Sequence, residues 1–124
     1  MKLQPDRMDT PGITSYGPGW VAIDGERVAH SVVLCSDGQR FDWECARFED
    51  LGAAHFARLQ DLPAEVVIFG SGERLRFVSP AWLAPFMRQR VGVETMDTAA
   101  ACRTYNILAG EGRRVACALL LEAP

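Results

Sequence analysis

Between Ile13 and Trp43 the apolar residues fall into short β-branched runs separated by turn residues. "WVAI" and "RVAHSVVL" flank Asp24-Gly25, and Asp37-Gly38 divides "SVVL" from "RFDWE". Asp-Gly between apolar runs predicts tight hairpins, because a type I′ turn needs positive φ at both central residues. The pattern predicts an antiparallel meander of three or four strands. From Glu49 to Leu62 the period changes. Leu51, Ala54, Leu59 and Leu62 recur at helical spacing, and Pro63 closes the helix. "EVVIF" is short and continuously apolar, the mark of a strand covered on both faces. Gly70-Ser71-Gly72 ends it, and "RLRF" beyond predicts a short strand or an extended turn.

Ser79-Pro80 predicts a helix start, with a side-chain cap followed by proline in the first turn. Trp82, Leu83, Phe86 and Met87 form its buried face, Pro85 should kink it or make it irregular there, and Gly92 stops it. "GVETM" is the next strand, Asp97-Thr98 the next cap, and residues 98–109 the next helix. "RRVACALLLE" closes the chain as a strand. The second half therefore alternates strand and helix, the rhythm of an α/β unit with right-handed crossovers. The meander at the front makes the sheet mixed. Residues 1–12 read as a weakly ordered lead-in and residues 13–124 as a single α/β domain.

On a helix advancing 100° per residue, Ala101, Tyr105 and Leu108 cluster on one side, with Ala100, Thr104 and Ile107 beside them. Ala99, Arg103 and Asn106 fall within a narrow arc opposite. Such a helix is apolar around most of its circumference and packs closely on a sheet. Its thin polar stripe holds the candidate chemistry. Arg103 and Asn106 are neighbours at i, i+3. Arg103 could hold an anion or a partner carboxylate; the plainer account is a guanidinium bonded to buried carbonyls or a nearby acid. One of Asp97 and Thr98 caps the helix, and Asp97 already supplies the negative charge that a ligand phosphate would bring there.

Gly70-Ser71-Gly72 follows a buried strand, where a backbone loop can cradle an anion. If strands 66–69 and 93–96 are parallel, this loop and Asp97-Thr98 share the carboxyl edge, where open α/β sheets bind ligands. Neither phosphate-binding glycine motif is present, so a tight turn is the simpler account. Ser71 is not in a G-x-S-x-G elbow. His30 shares a strand face with Val28, Val32 and Leu34, and His55 lies between Leu51 and Leu59; both read as core or edge histidines. Gly110 or Gly112 stops the last helix, with Arg113 and Arg114 placed near its end carbonyls.

Composition adds exclusions. The chain has 124 residues, 48% hydrophobic and 23% charged, enough for one core. A net charge of −3 gives no general attraction to nucleic acid or to an anionic membrane. No apolar run reaches the roughly 18–20 residues of a membrane span, and "MKLQPDRMDTPG" has no signal-like core, so direct membrane insertion is not expected and the cytoplasm is. Cys35, Cys45, Cys102 and Cys117 show neither zinc nor disulfide-scaffold spacing. They read as free, mostly buried thiols, and no residue pattern calls for a metal or a cofactor.

"ITSYGPGWVAIDG", "VVIFGSG" and above all "GVETMDTAAACRTYNILAGEGRRVACALLL" resemble the MTH-type small-domain family. That family includes the mitochondrial respiratory complex I assembly factor, an adipogenesis-associated animal protein, and uncharacterised bacterial and archaeal proteins. The likeness runs from Ile13 to Leu121. It implies a three-layer α/β fold with a mixed sheet. It marks Gly70, Gly72, Asp97, Thr98, Arg103, Thr104, Asn106, Glu111 and Arg113 as signature positions and gives none of them a catalytic role. Two readings follow. One is a non-enzymatic binding or assembly module with a protein partner, serving a respiratory or membrane complex. The other is a small-ligand-binding or hydrolytic domain, its site between Gly70–Gly72 and Asp97–Arg103 and including Ser71 and Asn106.

Overall fold

The computed structural model describes residues 10–123, so the expected lead-in lies mainly outside the described residues. Where description begins the chain is already pinned. The Tyr105 hydroxyl donates to the Pro11 carbonyl at 2.8 Å, and the Gly12 N–H to Asp24 Oδ1 at 2.9 Å.

Strands β1 (Ile13–Gly17), β2 (Trp20–Ile23) and β3 (Glu26–Val28) form an antiparallel sheet in that order. Asp24 and Gly25 join β2 to β3 with φ of 49° and 88°, the two-residue turn the sequence predicts. The meander does not continue into the mixed sheet as one layer, however. The chain leaves at residues 29–31, and β4 (Val32–Cys35) and β5 (Arg40–Asp42) enter a second sheet. Burial explains the split. All four residues of β4 are buried, whereas β1 and β3 bury one residue each. A strand covered on both faces belongs in the middle layer, and a half-exposed one outside it.

The second sheet has the order β5-β4-β8-β6-β7, with β6 (Val66–Gly70), β7 (Gly92–Met96) and β8 (Val115–Leu119). β8 runs parallel to β6 and antiparallel to β4, so the sheet is mixed. Helices α1 (Ala53–Ala57) and α2 (Pro80–Arg88) cover one face, and α3 (Thr98–Gly110) with the small sheet covers the other. Alternate residues of the central strands serve the two cores. Leu34, Ile68, Cys117 and Leu119 meet Ala101, Cys102 and Tyr105 of α3 together with Val21 and Val28. Val33, Val67, Phe69 and Ala118 meet Trp43, Phe56, Leu59 and Phe86. This is a three-layer α/β fold.

Three local expectations need correction. The single helix over Glu49–Leu62 is three pieces: a 3-10 turn Phe48–Asp50, α1, and a 3-10 turn Arg58–Asp61. Leu51 and Gly52 are extended between the first two, and the buried face is Phe56 and Leu59 while Ala54 is exposed. Of the two forms open to "RLRF", the strand is absent and the segment is irregular. In α2, which contains Pro85, Ser79 makes no side-chain cap, and Met87 points outward with 76% of its surface exposed. Likewise Ile107 of α3 is 60% exposed.

Helix ends obey one motif twice. At α3, Gly112 (φ 82°) lets its own N–H reach Ala109 O and the Arg113 N–H reach Leu108 O, each at 3.0 Å. At α2, the Arg90 N–H donates to Met87 O at 3.0 Å and the Val91 N–H to Phe86 O at 2.9 Å. Both are Schellman caps. The second puts an arginine at φ 61° where glycine is usual, so the expected stop at Gly92 falls two residues earlier. Arg90 is exposed, and a left-handed conformation costs a residue with a Cβ roughly 1–2 kcal/mol. Arg90→Gly relieves that cost and loses part of the gain to the freer unfolded chain. The expected outcome is a net stabilisation of about 0.5–1 kcal/mol by urea unfolding; an unchanged or lower midpoint contradicts the strained cap.

Candidate functional site

β6 and β7 are parallel, so the condition set by the sequence is met. Gly70 lies opposite both Met96 and Leu119, which aligns the carboxyl ends of β6, β7 and β8. The loops after β6 and β7 depart from this edge to opposite faces of the sheet. It is a topological switch point.

Contact at this edge is close. A Cβ on Gly70 would lie 3.1 Å from Thr98 Cα, Thr98 Oγ1 and Ala101 Cβ, so the start of α3 rests directly on the strand backbone. Thr98 locks the approach. Its Oγ1 accepts the Gly72 N–H and donates to the Leu120 carbonyl, each at 2.9 Å, while its own N–H donates to Gly72 O at 2.8 Å. Asp97, not Thr98, is the cap: Oδ1 accepts the Ala100 N–H at 2.8 Å.

Ser71 is completely buried and spent on its own loop. Its Oγ donates to Arg74 O at 2.8 Å, has Met96 O at 3.2 Å, and accepts the Arg76 N–H at 3.0 Å. Arg76, which the sequence analysis did not single out, folds back over the loop. It donates from Nη2 to Ser71 O at 2.7 Å, pairs with Glu122, and covers the Phe48 ring at 4.5 Å. Glu122 also accepts the Phe48 N–H at 2.8 Å. Burial tends to raise the Glu122 pKa, but the Phe48 amide and the Arg76 guanidinium outweigh it and hold the carboxyl below its ordinary value. The stability this clamp contributes is therefore present above the ordinary carboxylate pKa and is lost as pH falls through the lowered one. Gly72 sits beneath the clamp at φ 104°, where a Cβ would strike Arg76 and Glu122. The alternation of "RLRF" and the lone acid after "ACALLL" were the available signals for this pair.

The polar stripe of α3 is a seam with β1. Asn106 accepts the Ile13 N–H at 2.9 Å and donates to the Ile13 carbonyl at 2.8 Å, standing in for a neighbouring strand. Arg103 Nη1 donates to the Tyr16 hydroxyl at 2.8 Å, and the residue is exposed. This corrects the expectation that its guanidinium satisfies buried carbonyls or a carboxylate. Arg113 is at the opposite edge of the sheet, 2.6 Å from Glu65 Oε1 and not on the helix-end carbonyls; Arg114 is 3.7 Å from the same carboxylate. Arg113 holds Glu65 below its usual pKa. Glu111 is the C-cap residue of α3, and Thr104 is half-buried.

A cavity of about 320 Å³ opens between the Gly70–Gly72 loop and α3. Gly72, Glu73, Thr98 and Ala99 line it together with Tyr16–Gly19 and Leu120–Glu122. Ser71, Arg103 and Asn106 do not line it; Arg103 reaches it only through Tyr16. The edge thus brings Gly72 and Thr98 together and leaves the other candidate side chains apart.

Neither histidine follows the sequence expectation closely. His30 is exposed in the link after β3, its Nε2 2.7 Å from Asp42. His55 Nδ1 accepts the Gly52 N–H, and its Nε2 lies 2.9 Å from Glu44 O. All four cysteines are free and buried. Burial pushes Cys35 up to about 11 and Cys102 to about 12, far from a neutral-pH nucleophile. Among the described residues no group of His, Cys, Asp and Glu could hold a metal ion. None of the described helices is long and apolar enough to cross a membrane.

A family profile described as "Protein of unknown function (DUF498/DUF598)" matches residues 13–120. The Xenopus tropicalis protein named NADH dehydrogenase (ubiquinone) 1 alpha subcomplex assembly factor 3 is 30% identical over 122 residues, 96% of this chain and 66% of that protein. The chain spans just under two thirds of that relative. A crystal structure of a Bordetella parapertussis protein superposes with a TM-score of 0.84 at 36% identity, covering 91% of this chain and 97% of that one. The solution structure of a Mth938-like domain from Bordetella pertussis gives 0.80 at 30% identity, covering 99% and 94%.

Two substitutions separate packing from availability. Thr98→Val strands a buried N–H and a buried carbonyl and is expected to cost about 1–3 kcal/mol. Arg103→Ala breaks only an exposed bond and is expected to cost below about 1 kcal/mol. Denaturant unfolding of both beside the wild type checks the order; a larger loss for Arg103→Ala overturns it.

Proposed function

The chain belongs to the DUF498/DUF598 family, and from that premise we propose that it is a non-enzymatic binding or assembly module serving a respiratory or membrane complex. The observation that carries this reading is the likeness to the assembly factor over 96% of the chain. The geometry supports it. The hydroxyls of Ser71 and Thr98, the amide of Asn106 and the carboxylate of Asp97 all hold segments of the fold together. These are the duties of a scaffold, and a scaffold works through its surface. The tagged protein expressed in its own cells should recover subunits or assembly partners of a membrane complex. Deletion should lower the assembled enzyme with subunit transcripts unchanged. Normal complex levels together with no recovered subunits remove this reading.

One observation favours a second reading, a small-ligand-binding or hydrolytic domain. The cavity at the switch point has the size and the mostly apolar walls of a small-molecule site, and Gly72 and Thr98 line it. Ala99 faces the same space from the first turn of α3. A compound that raises the melting temperature of the wild type and not of Ala99→Trp would support this reading. Equal shifts in both proteins count against the cavity.

A further inference from the structure

The segment from Arg74 to Val93 differs from the rest of the chain in charge. Four of the thirteen Lys and Arg residues lie in it, Arg74, Arg76, Arg88 and Arg90, and none of the sixteen Asp and Glu residues. The net charge of −3 hides this asymmetry. The same segment presents apolar side chains to water. Of the five large hydrophobic residues that stand exposed among the described residues, three are here: Leu75 at 51%, Phe77 at 71% and Met87 at 76%. Such a concentration marks a surface that meets something.

The exposure is built into the fold. Arg76 turns inward to the Ser71 carbonyl and Glu122, and Val78 packs on the core cluster of Phe56, Phe69 and Phe86. Burial alternates along this run, so Leu75 and Phe77 point outward. Trp82, Leu83 and Phe86 of α2 enter the same cluster. Met87 follows Pro80 by seven residues, about 20° short of two helical turns and roughly 10 Å along the axis, so both stand on the outer line of α2. Phe77 and Met87 therefore leave one core on its solvent side. Among the ion pairs and side-chain hydrogen bonds of the described residues, none engages the guanidinium of Arg74, Arg88 or Arg90. Arg74 acts on the Glu122 carboxylate only from a distance, since that group is bonded to Arg76 and the Phe48 N–H. The flanking acids are turned elsewhere. Glu73 lines the small cavity, and Glu94 follows Val93, which packs on the same cluster, so Glu94 faces the other side of the sheet. Glu49, Asp50 and Asp61 sit in the turns around α1.

Protruding apolar tips among unpaired guanidinium groups fit a surface that is negative on top and apolar beneath. A folded protein would need a hollow matched to each tip, whereas a lipid surface admits them in any arrangement. We propose that this face binds peripherally to an anionic phospholipid membrane. Leu75, Phe77 and Met87 enter the headgroup layer, and Arg74, Arg88 and Arg90 lie on lipid phosphates. No segment spans the bilayer in this arrangement. The inference goes beyond the assembly-module reading and does not depend on it; the cavity at the switch point takes no part.

The probes are vesicles of phosphatidylcholine with one third phosphatidylglycerol, and of phosphatidylcholine alone, mixed with the whole chain at low salt. The chain should sediment with the mixed vesicles and bind the neutral ones at least tenfold more weakly. Phe77→Ser with Met87→Ser should weaken binding at least fivefold, and so should Arg74→Gln with Arg88→Gln. Two controls change exposed positions elsewhere, Ile107→Ser for the apolar loss and Arg27→Gln with Arg114→Gln for the charge. Both should stay within twofold of the wild type. Unfolding midpoints show that every variant folds. On nanodiscs of the mixed lipid with a headgroup spin label, the amide signals of residues 74–78 and 84–90 should broaden before any others. Equal binding to neutral vesicles, equal loss in the controls, or broadening centred elsewhere overturns the proposal. Absence of vesicle binding overturns it too; if the Phe77/Met87 variant then also loses the partners recovered from cells, the face belongs to an acidic protein. Vesicle binding by a wild type that recovers no partner sinks the module reading alone.

Discussion

The hydroxyl of Thr98 joins three segments that are distant in sequence. It accepts from Gly72 after β6, donates to Leu120 after β8, and belongs to the first residue of α3. All three atoms are shielded from water, so each bond avoids the penalty of a stranded buried group. The close seat of the helix on Gly70 makes this geometry possible, since any side chain there would meet Thr98 and Ala101. From that contact the remaining architecture follows. The helix axis is fixed over the sheet, its outer stripe is turned toward β1, and Asn106 and Arg103 then meet Ile13 and Tyr16. The small sheet is held to the body through those residues and through the apolar core beneath them.

The parts of this fold that could be read from the chain are those decided locally. The Asp24-Gly25 turn, a cap at Asp97 or Thr98, a stop at Gly110 or Gly112, and the buried character of "VVIF" each depend on a few adjacent residues, and the structure chooses Asp97 and Gly112. What could not be read depends on residues far apart. Arg103 and Asn106 look like a site when their neighbours are unknown; their partners lie 87 and 93 positions away. Arg76 and Glu122 passed unnoticed for the same reason, being 46 positions apart. The helix expected over Glu49–Leu62 failed differently. Its apolar spacing was satisfied by two faces, and tertiary packing chose Phe56 against Phe69 and Trp43, which broke the run at Gly52. The resemblance to the MTH-type family supplied the layer order that no local pattern carries, and the solved relatives share it.

The candidate positions divide by what their polar atoms are doing. Ser71, Thr98, Asn106 and Asp97 are occupied within the molecule, so substituting them tests the scaffold. Glu44, Glu73 and much of Arg103 face solvent and remain free to meet something else. A marked position in a small domain therefore need not be a point of contact. Here most of them are the joints of the fold.

The central strand of the five-stranded sheet is also the one formed from the end of the fold. β8 lies between β4 and β6, and the two halves of the sheet, β5-β4 and β6-β7, share no ladder except through it. Val32 waits for Leu119 and Val66 for Val115. Without β8 the inner edges of β4 and β6 are open over four and five residues. Such edges are where unfinished chains stick to one another. β8 closes both of those edges at once, so one strand decides whether the sheet has two open seams or none.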